Sequence, residues 1–169
     1  MKSSSEIVIL GVDPGSRCTG YGIIRELSGT LSLIKAGTIR LDSIEDMSRR
    51  LAVIFSEISA LISLFHPHQA AVEEIFTAKN ASSALKLGQA RGAVIVACAH
   101  NNLPVYSYQP TLVKKSIVGV GRATKEQVAF MVARLLGNRG GWAKDASDAL
   151  AVAVTHLNLR RASGLRGCK

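Results

Sequence analysis

Four carboxylates carry the clearest chemical potential in this chain, because each lies where a predicted strand or helix begins or ends. Asp13 follows the apolar run IVILGV and precedes a Pro-Gly turn, and Glu73 lies near the end of a second run, QAAVEEI. Asp145 and Asp148 are three residues apart at the start of a long apolar segment, so they share one helix face. If these ends converge, all four acids occupy one site.

Such a cluster of acids predicts a metal-dependent nuclease. Four like charges in one place are unstable without cations, and carboxylate oxygens favour hard ions such as Mg²⁺ or Mn²⁺. The sequence has no Cys/His cluster that would form a softer site. A pair of hard ions about 4 Å apart is the usual device for phosphodiester cleavage, since one activates water and the other stabilises the leaving oxygen.

The elements that must position these acids alternate between β- and α-type patterns. Their order, β-β-β-α-β-α-β-α-α-α, predicts an α/β fold with a mixed five-stranded central sheet flanked by helices. We assign residues 1–160 to this single domain and 161–169 to a short, basic, mobile tail. Start signals predict that the first helix begins at Ser43 and that Asp145 or Ser147 caps the last helix, Lys144–Leu159.

The predicted helix Asn80–His100 is unusually rich in small residues. Gly88 and Gly92 lower its helix propensity, so a close contact is a reason for their presence. Tight packing on the chain's own sheet would explain them, and so would contact with a symmetry-related copy of the helix. Both explanations remain open at the level of the sequence.

The net charge of +9 favours a polyanionic partner, with nucleic acid first and an anionic membrane surface second. From Ile75 to Lys125 the chain has no Asp or Glu, and a simple solvated basic face is the alternative explanation. Within this stretch the loop Gly119–Thr124 is suited to phosphate oxygens, because it combines exposed backbone with nearby cations. Its basic flanks are Lys114, Lys115, Arg122 and Lys125.

The remaining composition indicates a soluble cytoplasmic protein that does not engage a membrane. The three cysteines are scattered without a CxxC pair, which fits a reducing compartment. No apolar run has the length of a signal peptide or a membrane span. His66 and His68 flank a proline and are typical of a solvated turn rather than of a metal site, and His156 is typical of a core or an interface.

Five strings distributed between Ile9 and His156 carry a family resemblance. They are LGVDPGSRCTGYGII, VEEIF, AKNASSALKLGQARGAVIVA, VKKSIVGVGRATKEQV and DASDALAVAVTHL. Together they resemble the RuvC family of bacterial Holliday junction resolvases, which has a ribonuclease H-like fold. The loop Asn138–Lys144 and the segment beyond His156 depart from the family pattern.

The resemblance implies roles for individual residues. Asp13, Glu73, Asp145 and Asp148 match the family's catalytic, metal-binding acids, and Glu73 rather than Glu74 takes the catalytic place. The expected cofactor is a pair of Mg²⁺ ions, with Mn²⁺ able to substitute. Basic positions that contact DNA in the family match Lys114 and Lys125, with Arg122 and the neighbouring Lys115 as further candidates, and the aromatic that stacks at the opened junction matches Phe76.

The same resemblance implies partners and a reaction. The substrate is a four-way DNA junction, and the small-residue helix corresponds to the family's dimer helix. A two-fold homodimer explains two symmetric nicks made by two identical sites. The RuvA–RuvB branch-migration complex is the implied partner in recombination and repair.

Three other functions remain open from the residues. Asp13-Pro-Gly15 followed by Thr19-Gly20 resembles the phosphate loop of actin-like sugar kinases and ATPases, although those enzymes need two such domains. A module that binds branched DNA without cutting it is the second, and the set of four acids argues against it. The third is a ribonuclease H-like nuclease acting on RNA or RNA–DNA hybrids, which the 2′-hydroxyl would distinguish.

Overall fold

The computed structural model describes residues 6–75, 80–138 and 140–163, and its elements follow the predicted order. The strands are β1 (Glu6–Asp13), β2 (Cys18–Leu27), β3 (Thr30–Arg40), β4 (Gln69–Glu73) and β5 (Val105–Tyr108). The helices are α1 (Met47–Phe65), α2 (Ala81–His100), α3 (Pro110–Val118), α4 (Lys125–Leu135) and α5 (Lys144–Ala162). None of the helices described is both long and apolar enough to cross a membrane.

A single mixed sheet brings the ends of β1 and β4 together. The strand order is β3-β2-β1-β4-β5, with antiparallel pairing among β1, β2 and β3 and parallel pairing among β1, β4 and β5. Because Val12 lies opposite Val72 in the parallel pair, the next residues, Asp13 and Glu73, emerge side by side at one edge. The predicted five-stranded mixed sheet is confirmed.

Helices cover both faces of the sheet, which explains the near-continuous apolar sequence of β1. On one face Leu10 and its neighbours pack against α1 and α2. On the other face Ile9 packs against α5, which in turn is covered by α3 and α4. Helix α5 is buried from Ala146 to Leu157 except at Asp148, so a helix fixed within the core carries the two acids.

Glycines in the two central strands allow α5 to lie unusually close to the sheet. A Cβ atom added at Gly11 would lie 2.2 Å from the carbonyl oxygen of Ala149, and one added at Gly20 would lie 1.9 Å from that of Asp145. Gly20 is also the residue that pairs with Asp13. The absence of a side chain at Gly20 therefore sets the distance between the end of β1 and the start of α5.

Replacing Gly20 by Ala should destabilise the fold and the site together. The added methyl group must displace α5, and overpacking of this kind costs about 1–3 kcal/mol. We expect a lower Tm in thermal unfolding and a lower rate in any assay of the site. Gly121→Ala, whose Cβ would make an ordinary 3.6 Å contact with the Thr111 carbonyl oxygen, should leave the Tm nearly unchanged. Equal Tm values for the two variants would contradict this account of the packing.

Helix boundaries differ from the sequence predictions at three points. Helix α1 begins at Met47 with Asp46 as its cap, not at Ser43, because the Asp46 carboxylate accepts the hydrogen bond from the Ser48 amide. Neither predicted cap of α5 is correct, since Ala143 occupies that position.

The third difference is at the end of α5, which continues to Ala162 and takes in two residues assigned to the tail. Arg161 explains the extension, because its guanidinium pairs with Glu26 at 2.9 Å and donates to the Gly29 carbonyl oxygen. The rest of the predicted tail, residues 164–169, lies outside the described residues.

Candidate active site

Three of the four predicted acids line one cavity at the edge of the sheet. The cavity has a volume of about 360 Å³. Asp13 reaches it from β1, Glu73 from β4 and Asp148 from the first turns of α5. The predicted convergence is therefore observed for these three residues, which come from distant parts of the chain.

The carboxyl groups of Asp13 and Glu73 form a tight pair. Burial raises the pKa of Asp13, and the adjacent Glu73 carboxyl raises it further. Burial likewise raises the pKa of Glu73. Two carboxyl groups in contact cannot easily both be ionised, so at neutral pH and without a cation the pair shares one proton.

Asp148 is neutralised by a lysine rather than by a proton. The Lys125 ammonium donates a short hydrogen bond to the Asp148 carboxylate, which is largely buried. Partial burial disfavours the charged amine, but the hydrogen bond and charge of Asp148 outweigh this effect and raise the pKa of Lys125. Lys125 thus supplies positive charge where the acids converge.

Asp145 does not line this cavity. It lies in the first turn of α5, where its carboxylate contacts the Cys18 thiol at the start of β2. Burial and the neighbouring Asp145 raise the pKa of Cys18 to about 11, so Cys18 is a poor nucleophile at neutral pH. The structure brings three of the four predicted acids into the cavity, whereas Asp145 lies one helical turn before Asp148 and faces Cys18.

The choice of Glu73 over Glu74 agrees with the geometry. Glu73 is the last residue of β4 and contacts Asp13. Glu74 follows the strand and lines the same cavity, and its amide donates a 2.8 Å hydrogen bond to the Tyr108 carbonyl oxygen. Glu73 thus belongs to the acid pair, whereas the backbone of Glu74 is hydrogen-bonded to β5.

The predicted DNA-contacting residues are distributed unevenly around the site. Lys114 and Lys125 both line the cavity. Lys115 on α3 and Arg122 in the following loop are exposed and lie outside its lining. Phe76 falls outside the described residues. The loop itself is bounded as predicted, with Gly119 ending α3 and a Thr124–Gln127 capping box starting α4.

The turn after Asp13 is held by two residues that sequence reasoning missed. The buried Thr19 hydroxyl donates to the Gly15 carbonyl oxygen at 2.9 Å and accepts from the Gly15 amide at 3.2 Å. Arg50 reaches across from α1 to the Ser16 carbonyl oxygen at 2.9 Å. A threonine buried in a strand end is a local signal that could have been found, but the pairing of Arg50 with the turn is a tertiary contact.

The donor chemistry of the cavity fits a hard cation. Asp13, Glu73 and Asp148 offer oxygen ligands alone, and their charges are balanced here by a shared proton and by Lys125. Within the described residues, no three His, Cys, Asp or Glu side chains are close enough to form a ready-made metal site. The arrangement is that of a charged cavity in which cations would replace the proton and the lysine.

Comparison with known proteins decides the family. The family model described as "Crossover junction endodeoxyribonuclease RuvC" matches residues 9–156. The chain belongs to the RuvC family. It is similar to RuvC of Oleidesulfovibrio alaskensis, with 58% identity over 92% of this chain and 93% of that protein, and to RuvC of Solidesulfovibrio magneticus, with 54% identity over 100% of both.

A solved RuvC structure confirms the fold. The structure described as Thermus thermophilus RuvC in complex with Holliday junction substrate matches with a TM-score of 0.87 and 33% identity, covering 93% of this chain and 96% of that chain. The family resemblance and the ribonuclease H-like fold predicted from the motifs are both confirmed.

This RuvC-family chain also contains a buried polar network that its motifs did not reveal. The His156 ring on α5 accepts a 2.6 Å hydrogen bond from the Tyr108 hydroxyl at Nδ1 and donates a 2.8 Å bond from Nε2 to the Gln69 side-chain oxygen. The prediction of a core histidine is confirmed, since His156 is 3% exposed. The network ties α5 to β4, the strand that ends at Glu73, and to the neighbouring strand β5.

Acidification should weaken the fold through His156. Burial, reinforced by the charge of Arg160, lowers the pKa of His156 from 6.5 to about 4. Because the unfolded chain takes up this proton first, the contribution is fully present above pH 6.5 and is lost as the pH falls toward 4, by about 3 kcal/mol. Urea unfolding between pH 7.5 and 4 measures the effect.

Repeating the urea unfolding series with His156→Leu isolates the contribution of His156 to the pH dependence of stability. Asp13 and Glu73 act in the opposite direction in this window, so the informative quantity is the difference in pH dependence between the two proteins. The variant should be less stable at pH 7.5, since Tyr108 and Gln69 lose a partner, but should lose less stability on acidification. Parallel curves for the two proteins would rule out His156 as the titrating group.

Proposed function

We propose that this protein is a Holliday junction endonuclease that makes paired, symmetric nicks in four-way DNA junctions during recombination and repair. It belongs to the RuvC family of crossover junction endodeoxyribonucleases, and the Thermus thermophilus relative is described with a Holliday junction substrate. The observation that carries the proposal is the cavity in which Asp13, Glu73 and Asp148 meet Lys114 and Lys125. Acids and lysines together suit a cation-assisted reaction on a phosphate.

The RuvC family is one of metal-dependent nucleases. We propose two Mg²⁺ ions per site, with Mn²⁺ able to substitute, held by Asp13, Glu73, Asp145 and Asp148. Asp145 is included because it precedes Asp148 by one helical turn on the same face and matches the family's fourth acid. When bound, such ions lower the pKa of a water nucleophile and stabilise the leaving oxygen.

The side chains of this chain have separable tasks in the reaction. Asp13 and Glu73 must give up their shared proton to act as ligands, so cation binding releases a proton. Lys114 lies near Glu73, and its charge is placed to attract the substrate phosphate. Lys125 is available for the same phosphate once Asp148 has a cation as its partner.

A homodimer would supply the second nick. On α2 the residues Leu85, Gly88, Gly92 and Val96 follow helical spacing on one face, and Leu85 and Val96 are 65% and 57% exposed. A Cβ atom added at Gly88 or Gly92 would meet no atom of the described chain within 4 Å. Packing against the described residues therefore gives no reason for these glycines, and we propose that α2 packs against α2 of a second copy.

The cellular setting follows from the family resemblance. We propose that the dimer acts in the cytoplasm on junctions handled by the RuvA–RuvB branch-migration complex. The dense positive charge of the chain supports an encounter with DNA.

A strand-by-strand cleavage assay tests the function. The substrate is a mobile four-way DNA junction with each strand labelled in turn, incubated with Mg²⁺, with Mn²⁺ or with EDTA. We expect metal-dependent paired nicks in two strands of like polarity near the crossover and none on a linear duplex of matched sequence. A junction with RNA strands at the crossover separates a resolvase from a nuclease that acts on hybrids.

A junction that is bound but never cut, with either metal, would refute the nuclease function. The chain would then be a module that recognises branched DNA.

Lys125→Ala should weaken junction binding and flatten its salt dependence. The slope of log K against log salt is negative, and one lost phosphate contact reduces its magnitude by about 0.9. Lys35→Ala removes an equal charge from an exposed position on β3 and serves as the matched control. Fluorescence anisotropy between 50 and 200 mM salt, roughly the range over which such contacts weaken, gives both slopes. Identical slopes for the two variants would show that Lys125 touches no phosphate.

A further inference from the structure

A second cavity adjoins the catalytic one. It has a volume of about 370 Å³ and lies between α4, the loop before α5 and the start of α5. Lys125 and Asp148 line both cavities, so the two cavities lie on either side of this ion pair. Its volume falls within the range of about 300–1,000 Å³ that is usual for small-molecule sites. A strand with its phosphate in the first cavity would pass the mouth of the second.

Two aromatic side chains line this second cavity. Phe130 is 63% exposed, although the opposite side of α4 is buried through Val128 and Val132. Trp142 packs on the core on one side and lines the cavity on the other. An exposed phenylalanine and a partly buried tryptophan that line one cavity are an uncommon use of large apolar surface next to a charged site.

The charges of the described residues that line the second cavity are balanced. Lys125 and Lys144 contribute two positive charges, and Glu126 and Asp148 contribute two negative charges. A phosphate subsite would carry an excess of positive charge, whereas this lining suits an uncharged planar group. Lys144 can donate hydrogen bonds and Glu126 can accept them, which matches the edge of a nucleobase.

We propose that the second cavity binds one unstacked nucleobase of the DNA strand whose phosphate lies in the catalytic cavity. The base lies against Phe130 and Trp142, and its edge faces Lys144 and Glu126. The inference rests on the proposed nuclease function, and it assigns a role to Trp142 and Lys144, which lie in the loop that departs from the family pattern. Base stacking on aromatic side chains tolerates all four bases, so the cavity holds the strand in place.

The tryptophan offers a direct readout that does not require cleavage. The chain contains one tryptophan, so its fluorescence reports on Trp142 alone. The protein is titrated in EDTA with four-way junctions that each carry one abasic nucleotide, moved step by step through the crossover. We expect quenching by the intact junction and loss of quenching at one abasic position. Equal quenching at every position, or none with the intact junction, would overturn the proposal.

Cleavage kinetics give a second, independent test. Phe130→Ala should lower kcat/KM on the intact junction about tenfold, the scale of one lost stacking contact. On the junction that lacks the critical base, wild type and Phe130→Ala should cut equally slowly. Leu135→Ala, which removes an exposed apolar side chain of α4 outside the cavity lining, is the control and should behave as wild type. The contrary result is that Phe130→Ala cuts the abasic junction more slowly than wild type does, by the same factor in kcat/KM as on the intact junction. The two effects would then be independent, and the base would not contact Phe130.

The two tests separate this inference from the proposed function. Position-dependent quenching without any cleavage by wild type would uphold the base site and refute the nuclease function. Paired nicks by wild type with no effect of Phe130→Ala would uphold the nuclease and overturn the base site.

Discussion

Replacing Asp13 by Asn is expected to stop cleavage while making the metal-free protein more stable. The carboxylate is a proposed metal ligand, and its loss should remove several kcal/mol of transition-state stabilisation, or about a thousandfold in rate. In the metal-free fold the same group is buried beside Glu73, which raises its pKa. Asn fills nearly the same space and is uncharged without taking up a proton, so the cost of protonating Asp13 in the folded state disappears.

The gain in stability should depend on pH. Because the pKa of Asp13 is raised in the folded state, the protein binds a proton there that the unfolded chain has already released. Its contribution is therefore most favourable below the unfolded value of 3.8 and declines as the pH rises above it. Asp13→Asn removes this decline, and its advantage over wild type should grow between pH 5 and pH 8.

Thermal unfolding in EDTA and in Mg²⁺, alongside the junction cleavage assay, measures both effects. Mg²⁺ should raise the Tm of wild type and have little effect on the variant, since ligand binding stabilises only a fold that can bind it. Asp42→Asn, which changes an exposed carboxylate outside the site, is the control. A variant that is less stable than wild type in EDTA would show that the acid pair is not a source of strain.

Replacing Leu85 by Glu is expected to separate the proposed dimer without unfolding the protomer. Leu85 is 65% exposed on α2, so a charged side chain is tolerated in the isolated chain. In a helix pair that packs through the α2 face containing Gly88 and Gly92, two buried glutamates would face each other across the two-fold axis. The monomer should still carry an intact catalytic cavity, but it should nick one strand and then dissociate.

Light scattering after size exclusion and the ratio of paired to single nicks measure these outcomes. Leu27→Glu, at a 40% exposed position on β2, introduces the same charge far from α2 and should remain dimeric with paired nicks. A Leu85→Glu protein that is still dimeric would place the interface elsewhere. A monomer that still makes paired nicks would separate the second nick from the dimer.

The charge balance of the cavity links stability to function. Without cations, Asp13 and Glu73 share one proton, and the charge of Lys125 neutralises that of Asp148. These compensations let three acids from β1, β4 and α5 approach one another in the metal-free fold. The same compensations must be undone before the reaction, so metal affinity should increase with pH and Lys125 should be released toward the substrate.

Local patterns in the sequence determined the elements, their order and the edge of the sheet that carries the chemistry. The apolar run that ends at Asp13, the Pro110 start of α3 and the Thr124 capping box all depend on residues within a few positions of one another, so each can be recognised without a partner. The family motifs then indicated which four acids match the catalytic positions of the family. This part of the fold was predictable, and so was the convergence of Asp13, Glu73 and Asp148 at one cavity.

Only the tertiary structure decided how the side chains at that edge are paired. Asp145 and Asp148 look equivalent in the sequence, yet Asp148 contacts Lys125 and Asp145 contacts Cys18. The direction of each depends on how closely α5 approaches the sheet at Gly20, a contact between residues 125 positions apart. Periodicity describes the face of one helix, and it cannot state which neighbour that face will meet. That information exists only once the chain has folded.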